Sequence, residues 1–238
     1  MFVTCWTAKG GSGTSVVAAG LAILYAQTSP TLLIDGVGDT REVFGCDDRA
    51  MRNESGVLDW LVGDSRVPAS RLAGLEVRVS DSLSFLPMGG VGISSDSVRG
   101  LIGTDEMRQR FVELRSWLGQ RNTVVDAGSF TNGDDDAVLG WRTDRLKSWH
   151  AIADRSLLVM RTCYMSIVRA KNASIRPNGV VLVDEPGRMY TAEDVRTALG
   201  VPVVATIPWD MQTARAIDAG RISRRLPRTL ERALRKAS

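Results

Sequence analysis

Residues 2–15 read Phe2-Val3-Thr4-Cys5-Trp6-Thr7-Ala8-Lys9-Gly10-Gly11-Ser12-Gly13-Thr14-Ser15, followed by Val16-Val17-Ala18-Ala19-Gly20-Leu21-Ala22. The apolar, β-branched and aromatic run at residues 2–6 predicts a short buried strand. It leads into a glycine-rich loop and then an Ala-rich helix over residues 15–27. Glycine lets the backbone turn tightly and point successive N–H groups inward. The helix brings the positive end of its dipole to the same place. Strand, glycine loop and helix in this order build a cradle for phosphate from Lys9, Gly10, Gly11, Ser12, Gly13, Thr14 and Ser15. Ser15 stands where such a loop places a Mg²⁺-binding hydroxyl.

One residue of the cradle is unusual. The common form of the loop, G-x-x-x-x-G-K-[ST], carries a lysine that reaches the β- and γ-phosphates. Here that position is Thr14, and the loop's lysine, Lys9, lies at its start.

Working outward, short β-branched runs alternate with helical segments. Strand candidates are residues 2–6, 31–34, 83–86, 123–125, 157–160, 179–183 and 203–207. Several are apolar throughout, as strands covered on both faces are. The pattern predicts a doubly wound α/β fold, a mostly parallel sheet with helices on both faces. Residues 104–118 are the clearest helix, with Thr104 as cap, Asp105 and Glu106 in the first turn, and an apolar stripe of Met107, Phe111, Leu114 and Leu118. Thr191-Ala192-Glu193-Asp194 reads as another helix start. Residues 89–103 are Gly/Ser-rich and are expected to form a long surface loop.

The bulk composition fits one domain over residues 1–238, with a basic C-terminal segment at 221–238. The chain has 238 residues, 44% of them hydrophobic, enough for a sizeable core. A net charge of +3 is too small to imply nucleic acid by itself. Cys5, Cys46 and Cys163 are widely spaced, and Cys5 falls inside a strand, which favours buried thiols over a disulfide. There is no CxxC and a single histidine, His150, so a zinc site is not expected. No leader is expected ahead of a loop that begins by residue 9, and the longest apolar run, residues 16–26, is too short to span a bilayer. A cytoplasmic protein, peripheral to the membrane at most, is the expectation.

Lys9-Gly10-Gly11-x-Gly13-x-Ser15 resembles the deviant Walker A loop, K-G-G-x-G-K-[ST], of the MinD/ParA family of P-loop ATPases. Lys9 matches that family's first, signature lysine, and Thr14 departs from the second. The resemblance continues along the chain. Thr31-Leu32-Leu33-Ile34-Asp35 is similar to the second strand, Gly56-Val57-Leu58-Asp59-Trp60-Leu61 to the G-L-x-D-x-L helix, and Leu83-Ser84-Phe85-Leu86-Pro87-Met88-Gly89 to the V-L-P-x-G strand end. Thr123-Val124-Val125-Asp126 resembles Walker B. Val180-Val181-Leu182-Val183-Asp184 and Val203-Val204-Ala205-Thr206-Ile207-Pro208-Trp209-Asp210 resemble the late strands that flank the base pocket, which brings Asp184 and Pro208 into the candidate site.

The resemblance implies ATP and Mg²⁺ as cofactors. It also implies a nucleotide-dependent homodimer in which Lys9 reaches the partner's phosphates. Asp126 closes an apolar strand, where a Mg²⁺ contact, direct or through water, stands beside the alternative of a loop-fixing carboxylate. Asp35 is placed to bond the phosphate loop or the metal shell. The family often carries D-x-D here, but this chain has Asp35-Gly36-Val37. Val37 cannot orient water, and Asp39 is the nearest substitute. Asp184 stands where the family usually has an adenine-reading asparagine. A carboxylate only accepts, so it suits adenine N6 or guanine N1 and N2, or it caps the turn Asp184-Glu185-Pro186-Gly187. Asp134-Asp135-Asp136 reads as a solvated acidic loop rather than a metal site.

In the C-terminal segment Leu226, Leu230 and Leu234 form a narrow apolar seam among arginines. Docking on the chain's own domain is favoured over contact with lipid or DNA, because the seam lacks Phe and Trp. Two functions remain. One is a positioning ATPase with weak or lost hydrolysis, serving pilus, septum or partitioning machinery through a protein partner of a pilus or division apparatus. Loss of the second lysine, the P-x-G strand end and I-P-x-D resemble its TadZ/CpaE-like branch. The other is a pseudo-ATPase scaffold that binds protein partners.

Overall fold

The computed structural model describes residues 1–45, 55–89, 104–119, 121–130 and 137–238, with residues 137–142 described by their backbone alone. Cys46, residues 90–103 of the Gly/Ser-rich stretch and the acidic triplet at 134–136 lie outside the described residues.

The expected strand, loop and helix open the chain. Strand β1 (Phe2–Thr7) is wholly buried and runs through the glycine loop into helix α1 (Thr14–Ala26). Then come β2 (Thr31–Asp35), α2 (Thr40–Phe44), α3 (Val57–Val62), a 3₁₀ segment at Ala69–Leu75, β3 (Val77–Arg78) and β4 (Leu83–Leu86). Helix α4 (Asp105–Leu118) is followed by β5 (Asn122–Ser129), α5 (Ala137–Ile152), β6 (Arg155–Arg161), α6 (Tyr164–Lys171) and β7 (Gly179–Asp184). The last elements are α7 (Ala192–Leu199), β8 (Val203–Pro208), α8 (Met211–Asp218) and α9 (Arg228–Leu234).

The strands form one eight-stranded sheet in the order β3-β4-β2-β5-β1-β6-β7-β8. Every pairing is parallel except β3 against β4, so the expected sheet is present with one antiparallel edge. All seven expected strands occur, most of them a residue or more longer than their apolar runs. β3 was not foreseen; two residues long, it lies at the edge with Val77 half-buried and Arg78 exposed.

Helices cover both faces. One core joins Phe2, Trp6, Phe111 and Trp149 beneath α4 and α5, with the Phe111 and Trp149 rings edge to face at 4.8 Å. The other joins α1 to Phe44, Phe85 and the C-terminal segment. The expected stripe Met107, Phe111, Leu114 and Leu118 is buried, and Thr104 Oγ1 accepts from the Met107 N–H at 3.2 Å, capping α4 as anticipated. Thr191 caps α7 through a reciprocal bond with Asp194.

The apolar seam of the C-terminal segment turns inward. Leu226, Leu230 and Leu234 are buried against α1, where Gly20 makes the room; a Cβ there would overlap Leu234 Cδ1. Arg155 Nη1 donates to the Ala237 carbonyl at 2.8 Å and fastens the end of the chain. Arg221, Arg224, Arg225, Arg228, Arg232, Arg235 and Lys236 remain exposed. Among the described residues no helix is long and apolar enough to cross a membrane.

Candidate functional site

In an open parallel sheet, ligands bind beyond the carboxyl ends of the strands, where the chain crosses from one half of the sheet to the other. Here β1 is central, with β5 and β6 beside it, and the glycine loop leaves its end. A cleft of about 930 Å³ opens at that end. Its walls include residues 10–17 of the loop and α1, Val37 and Asp39 after β2, residues 126–129 of β5, and residues 207–210 after β8.

The loop is held from below. The Lys9 carbonyl accepts from Ser12 Oγ at 2.6 Å and from Thr7 Oγ1 at 2.9 Å, and the Lys9 N–H donates to Thr7 Oγ1 at 3.2 Å. Gly11 and Gly13 take φ of +75° and +86°, a left-handed backbone that other residues adopt only with strain. A Cβ added at Gly10, Gly11 or Gly13 would meet no atom within 4 Å. The loop therefore presents main chain to open space, as a cradle for a phosphate must. Thr14 lines the cleft, and its buried Oγ1 has no hydrogen-bond partner among the described residues.

Three carboxylates gather beside the loop. β2 and β5 pair so that Asp35 lies opposite Asp126. Asp126 is fully buried. Its carboxylate receives a hydrogen bond from the Ser15 side chain, one from the Gly128 N–H at 3.2 Å and one from Thr40 Oγ1 at 3.4 Å. Burial outweighs these bonds, and with the neighbouring charges of Asp35 and Asp39 it pushes the carboxyl up to about 7. Asp35 is also raised by burial, opposed by the N–H groups of Val37, Gly38 and Thr40, which donate to it at 2.9, 2.7 and 3.2 Å. Those three bonds make Asp35 the peg of the loop between β2 and α2. Asp39 lines the cleft and makes no side-chain cap to α2.

Of the residues singled out in the sequence, Gly10, Gly11, Ser12, Gly13, Thr14, Ser15, Asp39, Asp126 and Pro208 are brought together in the cleft wall. Lys9, Asp35 and Asp184 are outside that wall. Lys9 is half-buried beside Cys163, whose thiol feels its charge at the turn between β6 and α6. Asp184 ends β7 opposite Pro208, and its carbonyl accepts from the Trp209 N–H at 2.8 Å. The structure adds residues that the sequence did not mark as site residues: Arg145 on α5, Arg161 at the end of β6, Trp209 ahead of α8, and Thr213 and Ile217 on α8.

The residues present fit a nucleotide with Mg²⁺. The glycine cradle is open, and a buried carboxylate bonded to the loop's serine is held unfavourably without a cation. Among the described residues there is no group of three or more His, Cys, Asp or Glu arranged to hold a metal alone. Ser15 and Asp126 suit Mg²⁺, which takes one or two protein ligands and relies on phosphate and water for the rest.

No family model matches the chain, and no curated protein matches it in sequence. Solved structures do match the fold. A ParA family ATPase from Chlorobium tepidum is similar at a TM-score of 0.67 and 18% identity, over 98% of this chain and 95% of that one. The septum site-determining protein MinD of Pyrococcus horikoshii, solved with Mg-ADP, is similar at 0.67 and 19%, over 98% and 92%. A Cyanothece McdA variant in complex with ATP is similar at 0.66 and 14%, over 100% and 96%. The chain thus has the P-loop NTPase fold of the MinD/ParA ATPases.

Proposed function

We propose that this chain binds ATP with Mg²⁺ on residues 9–15 and works as a nucleotide-controlled dimer with weak or lost hydrolysis. The observation that carries the reading is the glycine cradle, open to the cleft and joined through Ser15 to the buried Asp126. Nucleotide complexes of structures with the same fold support it.

The N–H groups of Gly10 to Ser15 and the α1 dipole would hold the phosphates. Ser15 and Asp126 would hold Mg²⁺, which supplies positive charge against those phosphates. Asp35 keeps the neighbouring loop in shape. Asp39, two residues beyond Val37 and in the cleft wall, would be the substitute acid for orienting attacking water, since Val37 has no group to do so. Pro208 and Asp184 flank the place for the base. Lys9, outside the cleft of its own chain, is left to meet the phosphates of a second copy, which makes its loop a deviant Walker A loop in function as well as in pattern.

Thr14 and Val37 together favour slow turnover. One lacks the phosphate-directed cation, and the other lacks the acid that would orient water. The biological role is read as positioning pilus, septum or partitioning machinery, in the manner of the TadZ/CpaE-like branch, through a protein partner. Its support is the Thr14 departure with the Pro87-Met88-Gly89 and Ile207-Pro208-Trp209-Asp210 strand ends. Residues 1–238 are read as a single domain, supported by a sheet drawn from residues 2–208 and a C-terminal segment docked on α1.

Calorimetric titration with Mg-ATP is the test. Binding in the micromolar range or weaker is expected, because the backbone cradle survives the loss of lysine. No heat and no thermal shift at millimolar ATP would instead favour the second reading, a pseudo-ATPase scaffold that binds protein partners, which the substitution at Thr14 also favours.

A further inference from the structure

Tryptophan loses much by standing in water, and this chain buries it elsewhere: Trp6 and Trp149 are wholly buried and Trp60 is 6% exposed. Trp209 is 48% exposed, the one exposed tryptophan among those whose side chains are described. It is not a loose surface residue. Its N–H donates to the Asp184 carbonyl at 2.8 Å, and the next residue, Asp210, caps α8 by accepting from the Gln212 and Thr213 N–H groups at 3.0 and 3.3 Å. The backbone is therefore fixed on both sides while the residue stands in the cleft wall. Among the described residues no ring or guanidinium stacks on its indole. The phosphate cradle leaves β1, and β8, whose end carries Trp209, lies three strands away in the order β1-β6-β7-β8. At a strand spacing of about 4.8 Å these two strand ends are about 14 Å apart, a span that a nucleotide crosses from its phosphates to its base.

We propose that Trp209 is the base platform of this cleft, an aromatic face on which a purine stacks, so that the site selects purine over pyrimidine nucleotides. Stacking accepts any base through its π-face and grows with the area of the ring system, which favours the two fused rings of a purine. It does not tell adenine from guanine. Nor does Asp184, which pairs with Pro208 at the neighbouring strand end: a carboxylate accepts equally from adenine N6 or from guanine N1 and N2. The ligand class is thus a purine nucleoside di- or triphosphate. The inference rests on the nucleotide reading above and names the side chain that holds the base, beyond the Pro208 and Asp184 that flank it.

The experiment measures binding of ATP, GTP, CTP, UTP and inorganic tripolyphosphate, each with Mg²⁺, by calorimetry for wild type, Trp209→Ala and Trp209→Phe. Loss of one base–aromatic stack predicts a fall of roughly 10- to 100-fold for ATP and GTP in Trp209→Ala, a smaller fall for CTP and UTP, and no change for tripolyphosphate. Trp209→Phe keeps an aromatic face and is expected to stay within about fivefold of wild type for ATP. The preference for purine over pyrimidine should therefore collapse in Trp209→Ala and persist in Trp209→Phe. A structural tryptophan would lower tripolyphosphate along with the nucleotides, and a wild type that binds purine and pyrimidine nucleotides alike has no such platform; either result overturns the proposal. Should Trp209→Ala not fold, the indole itself is the probe. The tryptophan emission of wild type less that of Trp209→Phe is expected to change with ATP and not with tripolyphosphate, and an emission unmoved by ATP overturns the proposal. Wild type that binds neither tripolyphosphate nor any nucleotide defeats the underlying reading as well. Wild type that binds ATP while Trp209→Ala binds it equally defeats this inference alone.

Discussion

Asp126→Asn is expected to stabilise the nucleotide-free protein at pH 8 while removing its response to Mg-ATP. The Asp126 carboxyl is pushed from 3.8 to about 7, chiefly by burial and further by the charges of Asp35 and Asp39. At 1.36 kcal/mol per pH unit, holding it ionised opposes folding by up to about 4 kcal/mol. The sign follows from proton binding. Between about pH 4 and pH 7 the folded chain keeps a proton on this carboxyl that the unfolded chain has lost, so stability falls as pH rises through that window. Below it both states are protonated, and above about 7 the full opposition is felt.

Asparagine removes the charge and keeps the shape. Its Oδ1 still accepts from the Gly128 N–H, and its amide can donate to the hydroxyl of Thr40 or Ser15, which rotate to accept. A net gain of about 1–3 kcal/mol at pH 8 is expected, or several degrees in melting temperature for a chain of this size. Urea and thermal unfolding at pH 5 and pH 8, in EDTA, read it directly. Wild type and variant should match at pH 5 and separate at pH 8, and Mg-ATP should raise the melting temperature of wild type only. An Asp126→Asn protein with the wild-type pH slope, or one less stable than wild type at pH 8, would refute the electrostatic account of this site.

Three further outcomes are expected. Thr14→Lys should tighten ATP binding by roughly 10- to 100-fold, the effect of one charge-assisted contact, read by calorimetry. Lys9→Ala should leave the monomer folded and weaken dimerisation in Mg-ATP, read by light scattering; equal dimerisation would remove Lys9 from the interface. Leu234→Ala should cost about 2–5 kcal/mol in urea unfolding, because it empties a buried slot against Gly20. A cost below about 1 kcal/mol would mean that the C-terminal segment is not held on α1 in solution.

The sheet was legible because its strands are buried on both faces and so read as continuous apolar runs. β2 is Thr-Leu-Leu-Ile-Asp with every residue buried, and no turn chemistry was needed to find it. β3 was illegible for the opposite reason: two residues carry no period. Helix α5 was also missed. Its Val138, Leu139, Trp141, Leu146, Trp149 and Ile152 share one broad helical face, but Arg142 and Arg145 fall on the same face, so no clean stripe announced it. The loss mattered for the site, because Arg145 lies on that helix. Nothing local tells an arginine that lines a cleft from one that covers a surface, and more than a hundred residues separate it from Thr14. The part of the site written in consecutive residues, Gly10 to Ser15, could be read directly. Asp35 could be placed but not assigned, since its three backbone donors exist only once the loop to α2 has closed around it.

The charges at the cleft explain why those two kinds of residue belong together. A loop that carries its own lysine offers phosphate a cation fixed to the cradle. This loop offers only backbone N–H groups and a helix dipole, worth about half a charge, beside the carboxylates of Asp35, Asp39 and Asp126. Bringing a triphosphate next to them is repulsive unless positive charge arrives from outside the loop. On the proposed reading the sources would be Mg²⁺ at Ser15 and Asp126 and Lys9 from a second copy. Each would depend on a separate event, metal binding or assembly. Moving the cation out of the loop therefore makes nucleotide binding conditional on the state of the rest of the molecule. That conditionality suits a protein whose nucleotide controls association better than one whose task is rapid turnover.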